Sequence, residues 1–391
     1  MENGSSSINL RVISGLREID RLAWDRCANP PGTDVNPFLS WDFLEALERA
    51  GCATARTGWA PRHLIAGGES SEVWGVVPCY LKSHSQGEYV FDYGWADAFE
   101  RAGGRYYPKI QISVPFTPVT GRRLLVAPGP EAEARRQILA AGIAEVTRLH
   151  DASSAHVTFL PEAEASELED VGFLVRTDQQ FHWTNNGYET FDDFLGDLSS
   201  RKRKGIRKER RDALEDGVEV EWVSGADLTE AHWDAFFEFY MDTGARKWGR
   251  PYLNRRFFSL IGERMADQIV LILARRAGRY VAGALNFIGS DTLYGRYWGC
   301  IEEHPCLHFE LCYYQAIDYA LAHGLTRVEA GAQGPHKLAR GYVPVTTYSA
   351  HLIAEPRFRR AVADYLASER RHVELENRIL AEHTPFRKGE A

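Results

Sequence analysis

Apolar and polar positions in the second half of the chain alternate in a pattern of strands followed by a helix. Apolar runs typical of buried strands cover residues 269–275 and 280–288, and the glycine-containing turn between them predicts a hairpin. A further strand is expected over 292–300. Apolar residues then recur at helical spacing over 309–323, which predicts an amphipathic helix with Gly324 as its C-terminal cap.

The first half shows the same order of patterns. An extended segment and two helices precede the strands in each half, and a further strand, a short helical stretch and a final strand or strand pair follow the amphipathic helix. The predicted elements of the first half are strands over 62–66, 73–81, 122–126 and 156–160 and a helix over 131–149. We therefore expect two copies of one mixed α/β unit.

Short sequence patterns recur at corresponding places in the two halves, which supports a duplication. Their spacing is shorter in the second half, so the first copy contains extra sequence, most of it roughly residues 91–118, and such an insertion is a candidate place for function. The recurring patterns are Trp24-Asp25 with Trp233-Asp234, Pro37-Phe38-Leu39 with Pro251-Tyr252-Leu253, Gly121-Arg122 with Gly295-Arg296, and Gly172-Phe173 and His182 with Gly341-Tyr342 and His351.

Length and composition agree with two domains. The chain has 391 residues, of which 44% are apolar, and its net charge is −8. We expect a first domain over 1–185, a basic helical linker over 186–217, and a second domain over 218–391 that ends in a helix. The N-terminus has no signal-peptide pattern, no apolar run approaches the ~20 residues of a membrane helix, and six cysteines in this length do not indicate a disulfide framework. A cytoplasmic protein without a transmembrane segment is therefore expected.

Several motifs resemble the FemAB-like family of predicted bacterial N-acyltransferases, and the element order resembles a Gcn5-related acyltransferase domain. The motifs are Pro37-Phe38-Leu39-Ser40, Tyr106-Tyr107-Pro108-Lys109-Ile110-Gln111, Pro115-Phe116-Thr117-Pro118, Gln180-Phe181-His182-Trp183, and the segment from Glu329 to Lys337. The resemblance implies an α/β fold of two tandem acyltransferase-like domains, each a mixed sheet flanked by helices, in a Fem-like arrangement. It also implies transfer of an acyl or aminoacyl group to an amine on a small molecule, a peptide or a peptidoglycan precursor.

Two acyl donors are considered, aminoacyl-tRNA and acyl-coenzyme A. Either would act as a co-substrate, and no tightly bound cofactor is expected. Coenzyme A-dependent members of this fold normally hold the diphosphate on a glycine-rich turn before a helix. The corresponding segment 301–308 has no glycine, two acidic residues and a proline, and the segment 127–130 of the first copy is equally unsuited. Aminoacyl-tRNA is therefore favoured over acyl-coenzyme A. A coenzyme A-dependent N-acetyltransferase with an atypical donor site and a non-catalytic peptide- or glycan-binding module are the alternatives.

A strongly basic segment lies between the two copies of an otherwise acidic chain. Eight of the eleven residues from Arg201 to Arg211 are Arg or Lys. The segment suits the phosphates of a tRNA acceptor end, but a solvated helix face and a membrane-surface contact are alternatives. The candidate donor-binding residues are Arg203, Lys204, Arg207 and Lys208.

The second copy contains the densest polar and aromatic cluster of the chain. Acyl transfer to an amine needs a proton acceptor and donors for the tetrahedral oxyanion, and no nucleophilic side chain is required. The resemblance matches Lys337, loosely, to an essential donor-contacting lysine of Fem-type enzymes. The candidate catalytic residues are Lys337, Glu329 and His336. The candidate substrate-binding residues of this copy are Tyr294, Arg296, Trp298, Gln333, Arg340 and Tyr342.

The insertion of the first copy supplies a second set of candidates. Tyr93, Trp95, Tyr107 and Lys109 combine aromatic rings with a cation, which suits a peptide, sugar or base. A loop that covers a domain interface is the alternative. We expect no metal site, because Cys300, Cys306 and Cys312 lack the tighter spacing of zinc ligands.

Overall fold

A computed structural model describes residues 9–68, 72–247, 251–331 and 334–387. The chain divides into two compact units, Met1–Asp178 with Thr346–Glu374 and Gln179–Val345 with Leu375–Ala391. These bounds differ from the predicted domains in two respects. The basic segment lies within the second unit instead of forming a separate linker, and residues 346–374 lie in the first unit.

The secondary structure alternates between strands and helices throughout both units. The strands are β1 (Asn9–Ile13), β2 (Trp59–Pro61), β3 (His63–Gly67), β4 (Val73–Val77), β5 (Cys79–Lys82), β6 (Lys109–Ile112), β7 (Leu125–Val126), β8 (Ser154–Leu160), β9 (Leu174–Thr184), β10 (Val218–Ser224), β11 (Ile269–Arg276), β12 (Arg279–Ile288), β13 (Thr292–Cys300), β14 (Arg327–Glu329) and β15 (Val343–Ile353). The α-helices are α1 (Arg21–Ala28), α2 (Trp41–Arg49), α3 (Tyr93–Arg101), α4 (Ala132–Leu149), α5 (Glu162–Asp170), α6 (Phe191–Asp197), α7 (Ser200–Ala213), α8 (Glu230–Lys247), α9 (Arg255–Met265), α10 (Leu307–Phe309), α11 (Gln315–Ala322) and α12 (Pro356–Glu382).

The two units repeat one strand order. In the first, β1, β3, β4 and β7 form a four-stranded antiparallel sheet, and in the second β10, β11, β12 and β13 pair in the same antiparallel order within a larger sheet that continues with β14. The predicted hairpin is present, since Ala277 and Gly278 between β11 and β12 both have positive φ. This shared order confirms the repeat that the sequence patterns predict.

The last strand of each repeat pairs with the other half of the chain. His182 of β9 pairs with Glu329 of β14, both in the second unit. His351 of β15, which corresponds to His182 in the repeat, pairs with His156 of β8, both in the first unit. This exchange explains why residues 346–374 belong to the first unit.

Local sequence sets the helix starts in the same way in both repeats. Pro37 and Pro251 each lie four residues before the first residue of a helix, α2 and α9. The N-cap of α2 is Ser40, and the N-cap of α9 is Asn254. Each side chain accepts a hydrogen bond from the backbone N–H three residues later, which satisfies a donor that the helix itself cannot pair.

The insertion of the first repeat adds structure for which the described part of the second unit has no counterpart. It contains α3 and β6, and β6 pairs with β5, which in turn pairs with β2. Because β6 also runs parallel to β8, the insertion widens the sheet of the first unit beside that strand.

Membrane-crossing helices were sought across the described segments. None of the helices there combines the length and the apolar character that a bilayer crossing demands.

Candidate active site in the second unit

A cavity lies in the second unit where two parallel strands stop pairing. β13 and β14 pair only from Thr292 opposite Arg327 to Tyr294 opposite Glu329, and β13 then continues to Cys300 paired with β12 but not with β14. The cavity has a volume of about 110 Å³. Since a buried water needs roughly 10–15 Å³ of such space, it can hold a small chemical group. Its polar and aromatic lining residues are Asn286, Arg296, Tyr297, Trp298, His308, Cys312 and Tyr313.

Two irregular backbone features shape this cavity. The register of β12 and β13 shifts by one residue, with Leu285 opposite Tyr297 and Asn286 opposite Gly295. Such a β-bulge changes the direction of nearby side chains and is common beside active sites. On the opposite wall, Glu310–Tyr314 forms a π-helical turn between α10 and α11, another feature frequent at functional sites.

An ion pair forms one side of the cavity. An Arg296 guanidinium nitrogen lies 3.2 Å from Oε2 of Glu329, and both side chains are buried. The guanidinium also lies 5.2 Å from the ring centre of Tyr294, a cation–π contact. Arg296 lines the cavity, and Glu329 balances the charge of Arg296 from the neighbouring strand. This ion-pair role of Glu329 is the alternative to the role of general base.

Lys337 is buried close to this ion pair. Its side chain is 2% exposed, and Nζ donates a hydrogen bond to the carbonyl oxygen of Gly331 at 2.9 Å. Burial, with a further contribution from the charge of Arg296, lowers the pKa of Lys337 to about 7. A lysine in this state can be protonated or neutral near neutral pH, which is typical of functional sites.

The other candidates of the second unit have mainly structural contacts. His336 is exposed, and its Nε2 lies 2.9 Å from the Tyr313 hydroxyl. Arg340 donates to both carboxylate oxygens of Glu209 at 2.9 and 3.0 Å, and its guanidinium lies 3.4 Å from the ring centre of Phe309. Both contacts hold the 3₁₀ helix Pro335–Arg340 in place, and a substrate contact of Arg340 stays a prediction.

Three further candidates differ in where they lie. Tyr342 is fully buried and donates to the backbone oxygen of Tyr313, and its contact with substrate stays a prediction. Trp298 lines the cavity, with its ring 5.2 Å from that of His308. Gln333 lies outside the described residues.

The basic segment forms α7 of the second unit and presents two kinds of side chain. Arg210 faces inward and pairs with Glu310 and Asp318 at 2.9 and 2.6 Å. The outer face includes the four candidate donor-binding residues, of which Arg203 is half-buried and the others exposed: Arg203, Lys204, Arg207 and Lys208. Two of these have nearby carboxylates, Asp192 for Arg207 and Asp212 for Lys208.

Lys109 of the insertion does not face solvent. It is fully buried and pairs with Glu88 and Asp92 at 2.7 and 2.5 Å, and it also donates to the Ser85 hydroxyl. Two carboxylates therefore balance its charge, and it is an internal ion-pair residue. A ligand contact of Lys109 stays a prediction.

The aromatic candidates of the insertion are divided between interior and surface. Trp95 is buried, with its ring 5.0 Å from His351, so it is also an internal residue. Tyr107 is half-buried and shares a hydrogen bond with Ser85. Tyr93 is 50% exposed. The two tyrosines are thus partly accessible to solvent, whereas Trp95 and Lys109 are buried.

The first unit differs at the place that corresponds to the cavity. The strand parallel to β14 in the second unit is β13, but the strand parallel to β8 in the first unit is β6, from the insertion. The site of strand separation is thus filled by added sequence in the first unit.

Sequence reasoning did not identify five of the polar and aromatic residues that line the cavity, among them Tyr297 of β13. His308, Cys312 and Tyr313 lie around the π-helical turn, which helical spacing alone does not reveal. Asn286 had a detectable signal, because it is the one amide side chain within the apolar run of β12. A polar residue in a fully buried strand demands a partner or a function.

Comparison with known proteins decides the family. The model of the FemAB-like family, described as peptidoglycan biosynthesis/recognition, matches residues 15–388. The chain belongs to the FemAB-like family. No curated protein matches it.

Two solved structures are similar to this FemAB-like protein in fold. The crystal structure of FemX shares 14% identity, covers 88% of this chain and 98% of its own, and has a TM-score of 0.54. The structure of L-PGS from Bacillus licheniformis shares 9% identity, covers 92% and 99%, and has a TM-score of 0.51. These likenesses confirm the predicted Fem-type α/β fold.

Proposed function

We propose that this protein is an N-acyltransferase that moves an acyl or aminoacyl group onto an amine, with its reaction centre at the cavity of the second unit. The observation that carries the proposal is Lys337, a buried lysine with a pKa lowered to about 7, beside the Arg296–Glu329 pair where β13 and β14 part. The family description, peptidoglycan biosynthesis/recognition, supports a transferase of this kind.

The chemistry assigns a role to each charged group. The acceptor nitrogen attacks the donor carbonyl carbon, and the carbonyl oxygen becomes an oxyanion. This attack forms the C–N bond. The tetrahedral intermediate then collapses, so that the carbonyl re-forms as the ester C–O bond breaks and the leaving hydroxyl takes the proton that the amine loses. The protonated form of Lys337 stabilises the oxyanion, because a cation in a site that excludes water acts strongly on developing charge. Arg296 adds to the positive electrostatic potential at the oxyanion, and its ion pair with Glu329 reduces this contribution.

The donor is proposed to be aminoacyl-tRNA. The segment before α10 contains Glu302, which pairs with Arg276 at 3.5 Å and lies 3.2 Å from His304. An acidic segment of this kind opposes a diphosphate. The exposed cations of α7 supply the opposite field and suit a polyanion.

The acceptor is proposed to be an amine on a peptide or peptidoglycan precursor. The family description supports this class of acceptor. The exposed ring of Tyr93 and the half-buried ring of Tyr107 are candidate contacts for such a ligand. An amine-bearing small molecule would meet the same chemical requirement.

The test compares two donors in one assay. Purified protein is incubated with a pool of aminoacyl-tRNAs labelled in the amino acid, or with labelled acetyl-coenzyme A, and with a peptidoglycan-precursor peptide that bears a free amine. We expect label in the peptide from charged tRNA only, and little heat on calorimetric titration with acetyl-coenzyme A. Transfer from acetyl-coenzyme A would show a coenzyme A-dependent enzyme, and transfer from neither donor would contradict the proposal.

A further inference from the structure

Asn286 has a buried carbonyl oxygen that has no hydrogen-bond partner within the described part of the chain. The side chain is 0% exposed, and its Oδ1 is one of the buried polar atoms that lack a partner. Its Nδ2 donates to the backbone oxygen of Ala284 at 3.3 Å. That bond fixes the orientation of the amide, because the reverse orientation would place Oδ1 against another carbonyl oxygen.

The unsatisfied oxygen belongs to a residue of the cavity wall. Asn286 and Gly295 both line the cavity, and they lie opposite each other at the β-bulge. A Cβ added to Gly295 would stand 3.2 Å from Oδ1, closer than an ordinary contact. The absent side chain of Gly295 therefore leaves space beside this oxygen.

An unsatisfied acceptor in such a place requires an explanation. A buried carbonyl oxygen without a partner is costly, and most are paired with protein, water or ligand. An acceptor is satisfied only by a donor, so a ligand group that pairs with Asn286 has to offer a hydrogen. The charge of Arg296 nearby is compensated by Glu329, which makes a group with an N–H tolerable there.

We propose that Asn286 is a donor-recognition residue whose buried carbonyl oxygen accepts a hydrogen bond from an N–H group of the acyl donor. The inference rests on the proposed function, because it assigns the cavity to the donor. Two donors carry a suitable N–H, namely the α-amino group of an aminoacyl ester and the amides of the pantetheine arm of coenzyme A. Both offer the same chemistry to Asn286.

The experiment uses a matched pair of non-reactive probes. The first is 3′-(L-alanylamido)-3′-deoxyadenosine and the second is 3′-(propionylamido)-3′-deoxyadenosine, which differs only in lacking the α-amino group. Dissociation constants are measured by calorimetry for the full-length protein, with acetyl-coenzyme A as a third probe. Loss of one hydrogen bond to a buried group corresponds to roughly tenfold in affinity. We therefore expect the alanyl probe to bind about tenfold more tightly than the propionyl probe.

Substitutions assign this preference to one atom. Asn286→Leu removes the acceptor and is expected to abolish the preference, whereas Asn286→Asp retains an acceptor and is expected to preserve it. Gln111 of the first unit is the matched control, since its Nε2 donates to Thr158 and its buried Oε1 also lacks a partner among the described residues. Gln111→Leu should leave the preference unchanged.

Each outcome bears on the proposal. One outcome is that Asn286→Leu weakens the binding of acetyl-coenzyme A about tenfold while the two nucleoside probes bind equally. Asn286 then accepts a hydrogen bond from the pantetheine amide, and the proposal holds for that donor. Equal nucleoside binding in the parent, with unchanged acetyl-coenzyme A affinity in Asn286→Leu, overturns the role of Asn286 and leaves the proposed function standing. If none of the three probes binds the parent protein, the assignment of the cavity to a donor fails, and the inference fails with it.

Discussion

Arg296 and Glu329 form a buried ion pair at 3.2 Å where the strands β13 and β14 stop pairing. The pair neutralises one cation of the cavity region and leaves Lys337 as the cation whose charge responds to pH near neutrality. The two residues come from neighbouring strands, so the pair also fixes the beginning of the cleft. Breaking this pair is therefore expected to lower the stability of the fold in addition to any effect on the reaction.

Glu329→Gln is expected to destabilise the protein strongly. Removing one partner of a buried pair leaves an uncompensated charge, which typically costs about 3–5 kcal/mol. The free energy of unfolding, measured by urea denaturation, checks this prediction. Glu302→Gln is the control, because the Glu302–Arg276 pair is largely exposed and such pairs contribute about 0–1 kcal/mol. Similar decreases in the free energy of unfolding of the two variants would show that Glu329 is not needed to balance the buried charge of Arg296.

Lys337 is expected to make stability depend on pH. Its folded pKa of about 7 lies below the ordinary value of 10.5, so the folded group releases its proton above about pH 7 while the unfolded group keeps it up to about pH 10.5. The unfolded state then binds more protons in this window, and stability rises with pH. Lys337→Met removes this dependence. We expect the variant to melt above the parent below about pH 7, with the difference shrinking towards pH 10.

Melting curves of the parent and of Lys337→Met, recorded from about pH 6 to pH 10, test this prediction. The same comparison for Lys82→Met serves as a check, because burial also lowers the pKa of Lys82 to about 7. A difference between parent and Lys337→Met that stays constant from about pH 6 to pH 10 would contradict a lowered lysine pKa.

Asn286→Leu is expected to retain or slightly increase stability in the absence of ligand. The substitution removes a buried acceptor without a partner in the described structure, together with one long hydrogen bond to Ala284. Replacing unsatisfied polar groups by apolar ones of similar shape is often nearly neutral or stabilising. Thermal melting tests this, and a loss above about 2 kcal/mol would indicate that Asn286 has a structural role instead.

The outer face of α7 is expected to bind a polyanion. Glutamine at Arg203, Lys204, Arg207 and Lys208 should weaken binding of charged tRNA, and the loss should become smaller as salt increases, because counterion release drives such contacts. Filter binding at several salt concentrations measures the effect. The control replaces three exposed arginines of the first unit, Arg101, Arg105 and Arg148. Identical salt dependence in all proteins would leave α7 as a solvated face.

Much of the fold could be predicted because local rules determine it. The apolar runs of β11 and β12 and the turn with Gly278 specify a hairpin without reference to the rest of the chain. Ser40 and Asn254 cap their helices through bonds to neighbouring residues. Repetition of these local signals was sufficient to indicate two similar units.

The exchange of the last strands could not be predicted in this way. His182 and His351 occupy matching positions of the repeat, yet their partners are Glu329 and His156. Periodicity shows that a strand exists and which face is buried, but not which strand lies beside it. The domain bounds near the C-terminus therefore differ from those of the structure.

The candidate site was predicted in part for a similar reason. Arg296 and Trp298 line the cavity because alternate residues of a strand share a face. The ion pairs of Lys109 could not be predicted, since its neighbours Glu88 and Asp92 arrive from a loop whose path the sequence does not specify. The burial of a cation depends on such distant partners.

The most direct measurement of the central claim compares transfer activity of Lys337→Met and Lys82→Met. Both lysines are buried and have a pKa lowered to about 7, but Lys337 feels the charge of Arg296, which lines the cavity, and Lys82 lies in the first unit over the Trp59 ring. With fold retention confirmed by thermal melting, labelled aminoacyl transfer to a precursor peptide is measured for each. We expect a loss on the order of 100-fold for Lys337→Met, as for removal of an oxyanion donor, and near-parent activity for Lys82→Met. Parent-like turnover by Lys337→Met would contradict a reaction centre in the second unit.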